Sequence, residues 1–87
     1  MDNGMAERGL TMSVLDDLTS KLALTQTLSK ETAKKWLTKV REGERSGRTS
    51  DQAAIIAAAD TFSDFNRTRY NYQGTPIKTL LDALENL

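Results

Sequence analysis

The stretch Leu22–Val40, LALTQTLSKETAKKWLTKV, decides how this chain is read. Ala33, Trp36, Leu37 and Val40 recur at i, i+3, i+4 and i+7, which is one face of a helix, and Ser29 ahead of them is a good N-cap. Gly43 suits the left-handed position just past the end of such a helix. Upstream, Leu22 and Ala23 are expected to close a first helix against the second, with Leu28 plugging the turn between them. Two helices broken by a tight turn, with the second rich in lysine, are what a helix-turn-helix needs to enter a DNA groove. A small helical bundle with a solvated lysine face yields the same string.

Working outward, helix one is expected to start at Ser13 with Asp16 as a capping partner and to bury Val14, Leu15, Leu18 and Leu22. Residues 1–12, with Gly4 and Gly9 and little apolar content, are expected to be a flexible arm, and 13–87 a single helical domain. Thr49 and Gln52 form a capping box for helix three, which continues through Ala53–Ala59 to Phe62 and Phe65. Asn66–Gly74 reads as irregular. Thr75 then caps a last helix with Pro76 in its first position and Ile77, Leu80, Leu81, Leu84 and Leu87 along one face. No strand pattern interrupts the series. The expected fold is therefore all-α, a small bundle or orthogonal array of about four short helices behind the arm. Its core is expected to hold Leu15, Leu18, Leu22, Trp36, Leu37, Val40, Ile55, Ala59, Phe62, Ile77, Leu80, Leu81 and Leu84.

Composition narrows the functions. At 87 residues the chain makes at most one small domain, in which a buried catalytic cleft is hard to build. There is no cysteine and no histidine, which removes disulfides, thiol chemistry, imidazole bases and the commonest zinc ligands. Met1–Met12 is polar and unlike a signal peptide, and no apolar run approaches the ~20 residues of a membrane span. A soluble cytoplasmic protein without cofactor, metal, membrane or small-molecule substrate is expected. The net charge is zero, so charge matters only by location. Lys30–Arg48 carries seven bases against Glu31, Glu42 and Glu44, whereas Met1–Ser29 sets Arg8 and Lys21 against Asp2, Glu7, Asp16 and Asp17. A local basic segment on a neutral chain is the footprint of a phosphate-binding face.

The contact set expected for nucleic acid is Ser29, Lys30, Glu31, Lys34, Lys35, Thr38, Lys39 and Arg41, with the cations on phosphates and Glu31 and Thr38 near base edges. A second patch, Asn66–Gln73, interleaves Arg67 and Arg69 with Tyr70 and Tyr72, a mix suited to phosphate, base or protein contact. In the plainer reading the tyrosines cover the edge of the core and the arginines pair with Asp60 and Asp64. Asp60 and Asp64 lie one helical turn apart but gather no third ligand, and a surface ion pair is the expected use. Leu80, Leu84 and Leu87 are expected to leave part of their stripe for a partner, including a second copy.

With these residues in view, Leu22–Gly47 resembles the N-terminal helix-turn-helix of insertion-sequence transposases and related small regulators. There a small residue in the first helix, a serine at the turn and a lysine–tryptophan pair recur, as Ala23, Ser29, Lys35 and Trp36 do here. Asp64–Leu84 looks faintly like the closing segment of some integrase-superfamily transposases, where an Asn–Arg stretch precedes Thr-Pro and a final helix. The resemblance implies double-stranded DNA binding. It does not carry transposase activity, because the catalytic core with its three metal-binding carboxylates has no room here. Two functions are thus expected. One is a dimeric DNA-binding regulator or accessory protein of a phage or mobile element, and the other is a helical interaction module, an inhibitor or adaptor docking onto another protein.

Overall fold

A computed structural model describes residues 14–87. The expected start at Ser13 and the arm over 1–12 lie outside the described residues. Among these, the chain forms α1 (14–22), α2 (Lys30–Arg45), α3 (Ser50–Thr61), one 3-10 turn (Arg67–Arg69) and α4 (Ile77–Glu85), with no strand. The fold is all-helical. α2 packs chiefly on α3, and α4 closes against both. None of these helices is long and apolar enough to cross a membrane.

Helix ends follow the local chemistry, with several shifts from the sequence reading. Ser29 caps α2 from an extended backbone, its Oγ accepting from the Thr32 N–H at 3.2 Å. Thr49 does the same for α3, accepting from the Gln52 N–H at 3.1 Å. α2 does not stop at Gly43 but continues to Arg45, and the left-handed residue is Gly47 at φ +100°. There the Gly47 N–H donates to the Glu44 carbonyl and the Arg48 N–H to the Gly43 carbonyl, the paired bonds of a Schellman stop. Gly43 instead lets α3 approach: a Cβ added to it would lie 3.0 Å from the Ala53 Cβ. Gly43→Leu is accordingly expected to cost about 1–3 kcal/mol by overpacking in a urea titration. A gain would mean that the helices part freely.

The first turn differs more. A Schellman pair also ends α1, with Ala23 N–H to Ser20 carbonyl and Leu24 N–H to Thr19 carbonyl, both 3.0 Å, around Ala23 at φ +54°. The left-handed residue is thus an alanine inside the stretch first read as helix, at a cost of about 1–2 kcal/mol that glycine would not incur. Seven residues, 23–29, separate α1 from α2, so the connection is longer than the three- to four-residue turn of the motif. It is nonetheless held: the Leu28 N–H donates to Thr19 Oγ1, and Leu28 is buried as the plug.

Leu18, Leu22, Trp36, Val40, Leu81 and Leu84 are the large side chains wholly withdrawn from water. Two of the expected core positions differ, since Ala59 faces solvent and Phe62 is only half-buried at the extended exit from α3. Ala53, Ala54, Ala57 and Ala58 replace them by bringing the α3 backbone close to its neighbours. α4 begins at Ile77, with Pro76 at the capping position and no side-chain cap, so Thr75 does not cap it. The Pro76 carbonyl accepts from the Thr79 and Leu80 N–H groups instead.

Candidate nucleic-acid interface

α2 sorts its cations by angle around its axis. Buried Ala33, Trp36, Leu37 and Val40 define the inner face, Glu31, Lys35 and Thr38 lie opposite it, and Lys30, Lys34 and Arg41 lie along one flank. Lys30, Glu31, Lys35 and Thr38 are exposed and Lys34 half-exposed, and together they line one shallow depression of about 560 Å³. None of these three lysines enters a salt bridge among the described residues. Ser29 is exposed too, but its hydroxyl is already used as the cap and donates to Thr32 Oγ1.

The two flanking cations behave differently. Lys39 turns to the α3 edge and pairs with Asp60 on the surface, where such a pair is worth little and phosphate can compete for the ammonium. Arg41, expected among the DNA contacts, is committed elsewhere. Its Nε meets Glu85 at 2.7 Å, Nη1 meets Glu44 at 2.8 Å and Nη2 meets Asp82 at 3.2 Å, which ties α2 to α4. Hydrogen bonds to Glu85 and then Glu44 hold the guanidinium far above its already high ordinary pKa. The Ser50 hydroxyl, at 2.6 Å, and Arg41 together hold the Glu44 carboxyl below its usual range. Arg41 is therefore a tie between helices rather than a phosphate contact. The sequence reading missed Arg45, which is exposed on the outer side because α2 runs a turn further than Gly43 suggested.

The second patch divides. Tyr70 is buried, its hydroxyl donating to Asp51 at 2.6 Å, and burial followed by that carboxylate pushes the phenol pKa well up. It belongs to the core edge. Tyr72 stands edge-on to it at 4.8 Å between ring centres and is 66% exposed. Arg67 and Arg69 are exposed and do not pair with Asp60 or Asp64 as the plainer reading expected. Asp64 instead accepts from the Thr25 N–H and hydroxyl, which hold its carboxyl below the usual range and fasten the 23–29 connection to the exit of α3. Leu80 and Leu84, expected to be partly free for a partner, are buried at 3% and 0% exposure, and Leu87 is half-buried. α4 has spent its stripe on the core, where it packs against both α2 and α3.

Lys21 carried no sequence signal beyond a single base near acids. It is 4% exposed, and its Nζ donates to the carbonyls of Asn71 at 2.8 Å and Gln73 at 3.0 Å. No protein-family model, no curated protein and no solved structure matches the chain, so the functional reading rests on this geometry.

Proposed function

We propose that the chain is a DNA-binding protein rather than an enzyme, acting in the cytoplasm as a small regulator or accessory factor of the kind that phages and mobile elements use. One observation carries the reading: Lys30, Lys34 and Lys35 stand on the solvent side of α2 without a carboxylate partner among the described residues, while Arg41 is engaged by Glu44, Asp82 and Glu85. In this reading those lysines and Arg45 meet phosphates, and Glu31 and Thr38 lie between them toward base edges. The 23–29 connection makes the arrangement looser than a tight helix-turn-helix, so α2 acts with support from α1 rather than as half of a rigid corner.

Four phosphate contacts predict a slope of about −3.6 in log K against log salt, roughly a 150-fold loss of affinity between 50 and 200 mM. Fluorescence anisotropy with a random duplex measures it. Lys30→Ala, Lys34→Ala and Lys35→Ala combined should abolish most of the binding while the circular dichroism stays helical. Absence of binding at 50 mM salt, or an unchanged affinity in the triple variant, defeats the reading. A second reading keeps the interaction module, now resting on exposed Tyr72 with Arg67 and Arg69 instead of on α4. Chemical-shift mapping during the same titration separates them, since DNA binding through α2 leaves 67–72 unmoved.

A further inference from the structure

Arg41 lies on the same flank of α2 as Lys30 and Lys34 but, unlike them, is ringed by carboxylates. Its guanidinium is anchored at one end by its own helix. There Nη1 donates to Glu44 at 2.8 Å, and the Ser50 hydroxyl fixes Glu44 in turn. The other edge, Nε and Nη2, faces two oxygens from α4, with Glu85 at 2.7 Å and Asp82 at 3.2 Å. Two N–H donors side by side form the fork that a phosphate grips through two of its oxygens. Two carboxylates one turn apart on α4 therefore take the places those phosphate oxygens would occupy. Their side chains are 72% and 48% exposed, so these are screened surface pairs that a competing anion can displace. The seat of α4 is apolar, through buried Ile77, Leu80, Leu81 and Leu84, which lets Asp82 and Glu85 swing away while the helix stays docked.

We propose that Asp82 and Glu85 are a built-in phosphate mimic that masks Arg41 and holds down the affinity for DNA. This mask rests on the DNA-binding reading above and adds its regulation. Lys30, Lys34, Lys35 and Arg45 make the standing contacts, Arg41 is a latent fifth, and the last turn of α4 competes for it with the phosphate backbone. Lys39 and Asp60 repeat the device in a weaker form, one carboxylate on one ammonium without a fork. Arg41 thus remains a tie between helices as long as α4 keeps its carboxylates on the guanidinium, and joins the row of Lys30 and Lys34 when they leave.

Asp82→Asn with Glu85→Gln keeps the size of both side chains and removes their charge. In the anisotropy titration with a random duplex, this unmasked chain is expected to bind roughly fivefold tighter than the parent at 50 mM salt. The salt slope should steepen from about −3.6 to about −4.5 as a fifth phosphate contact is added. Asp16→Asn with Asp17→Asn is the control, since it changes the net charge equally at exposed acids that enter no salt bridge among the described residues. Its slope should stay with the parent's. Adding Arg41→Gln to the unmasked chain should cancel the gain. Glu85→Gln alone, which removes the shorter of the two contacts, should give part of the gain and serves if the double change loosens α4. An unmasked chain that gains no more than the Asp16 and Asp17 control, or that keeps its gain after Arg41→Gln, overturns the mask and leaves the lysine face standing. Binding by the unmasked chain alone supports the mask, and binding by neither chain removes both readings.

Discussion

Trp36→Ala is expected to lose about 3–5 kcal/mol of stability, enough to leave much of the chain unfolded at 25 °C. Trp36 is the only tryptophan, is wholly buried, and stands on the face of α2 that meets α3. Its truncation removes the largest side chain of the core and leaves a void bounded by helix backbones. Those backbones cannot collapse inward, because Gly43 and Ala53 already bring the two helices to contact further along. The indole Nε1 also donates to the Ala54 carbonyl at 3.2 Å. Trp36→Phe separates the two contributions: it retains most of the volume, drops that bond, and should cost only about 1–2 kcal/mol. Urea unfolding followed by circular dichroism measures both, since the variants lose their own fluorescent reporter. A Trp36→Ala loss under 1 kcal/mol would mean that the α2–α3 seam does not depend on this ring.

The elements most legible in the sequence were those whose local and tertiary demands agree. Ser29, Ala33, Trp36, Leu37 and Val40 announce α2, and the structure uses each as the pattern implies. Thr49 announces α3 equally well. Legibility failed where one residue type serves two ends. Glycine marks a helix stop when a positive φ is needed and a close contact when a neighbour presses in. At Gly43 the contact prevailed, and the stop moved to Gly47, carrying Arg45 onto the outer face of α2. The reverse held at Ala23, where an alanine took the left-handed position that glycine usually fills, because Leu22 and Leu28 on either side are both anchored in the core. For the candidate interface, spacing on α2 identified which cations lie off the inner face. It carried no information about what α3 and α4 place opposite them. That is why Lys34 and Lys35 were read correctly as outward while Arg41 was not: Asp82 and Glu85 are forty residues away in sequence. The α4 leucines look free for the same reason, since their burial against α2 and α3 is visible only in the assembled fold.

Lys21→Met is expected to destabilise the fold by about 1–3 kcal/mol, and Lys21→Glu by more than that. The ammonium is buried against neutral acceptors rather than a carboxylate. It donates to the Asn71 and Gln73 carbonyls, and its Nζ lies 5.7 Å from the centre of the Tyr70 ring. Hydrogen bonds from a charged donor contribute about 1.5–3 kcal/mol each, against which stands the desolvation of the ammonium itself. Methionine keeps the stem packed and removes both terms. The balance remains a net loss because the two carbonyls would be left without their donor beside a nonpolar side chain. Glutamate sets a carboxylate against the same carbonyl oxygens and the electron-rich face of Tyr70, so every former attraction changes sign. The damage should be local in character. Residues 70–74 are held to α1 by this ammonium and by the Asn71 N–H donating to the Lys21 carbonyl at 2.9 Å, and to α3 only through Tyr70 and Asp51. Amide exchange in Lys21→Met should therefore quicken first at 71–74, ahead of α2 and α3. If Lys21→Met proved as stable as the parent, burying the ammonium would cost what its bonds return, and this clasp would contribute position rather than stability.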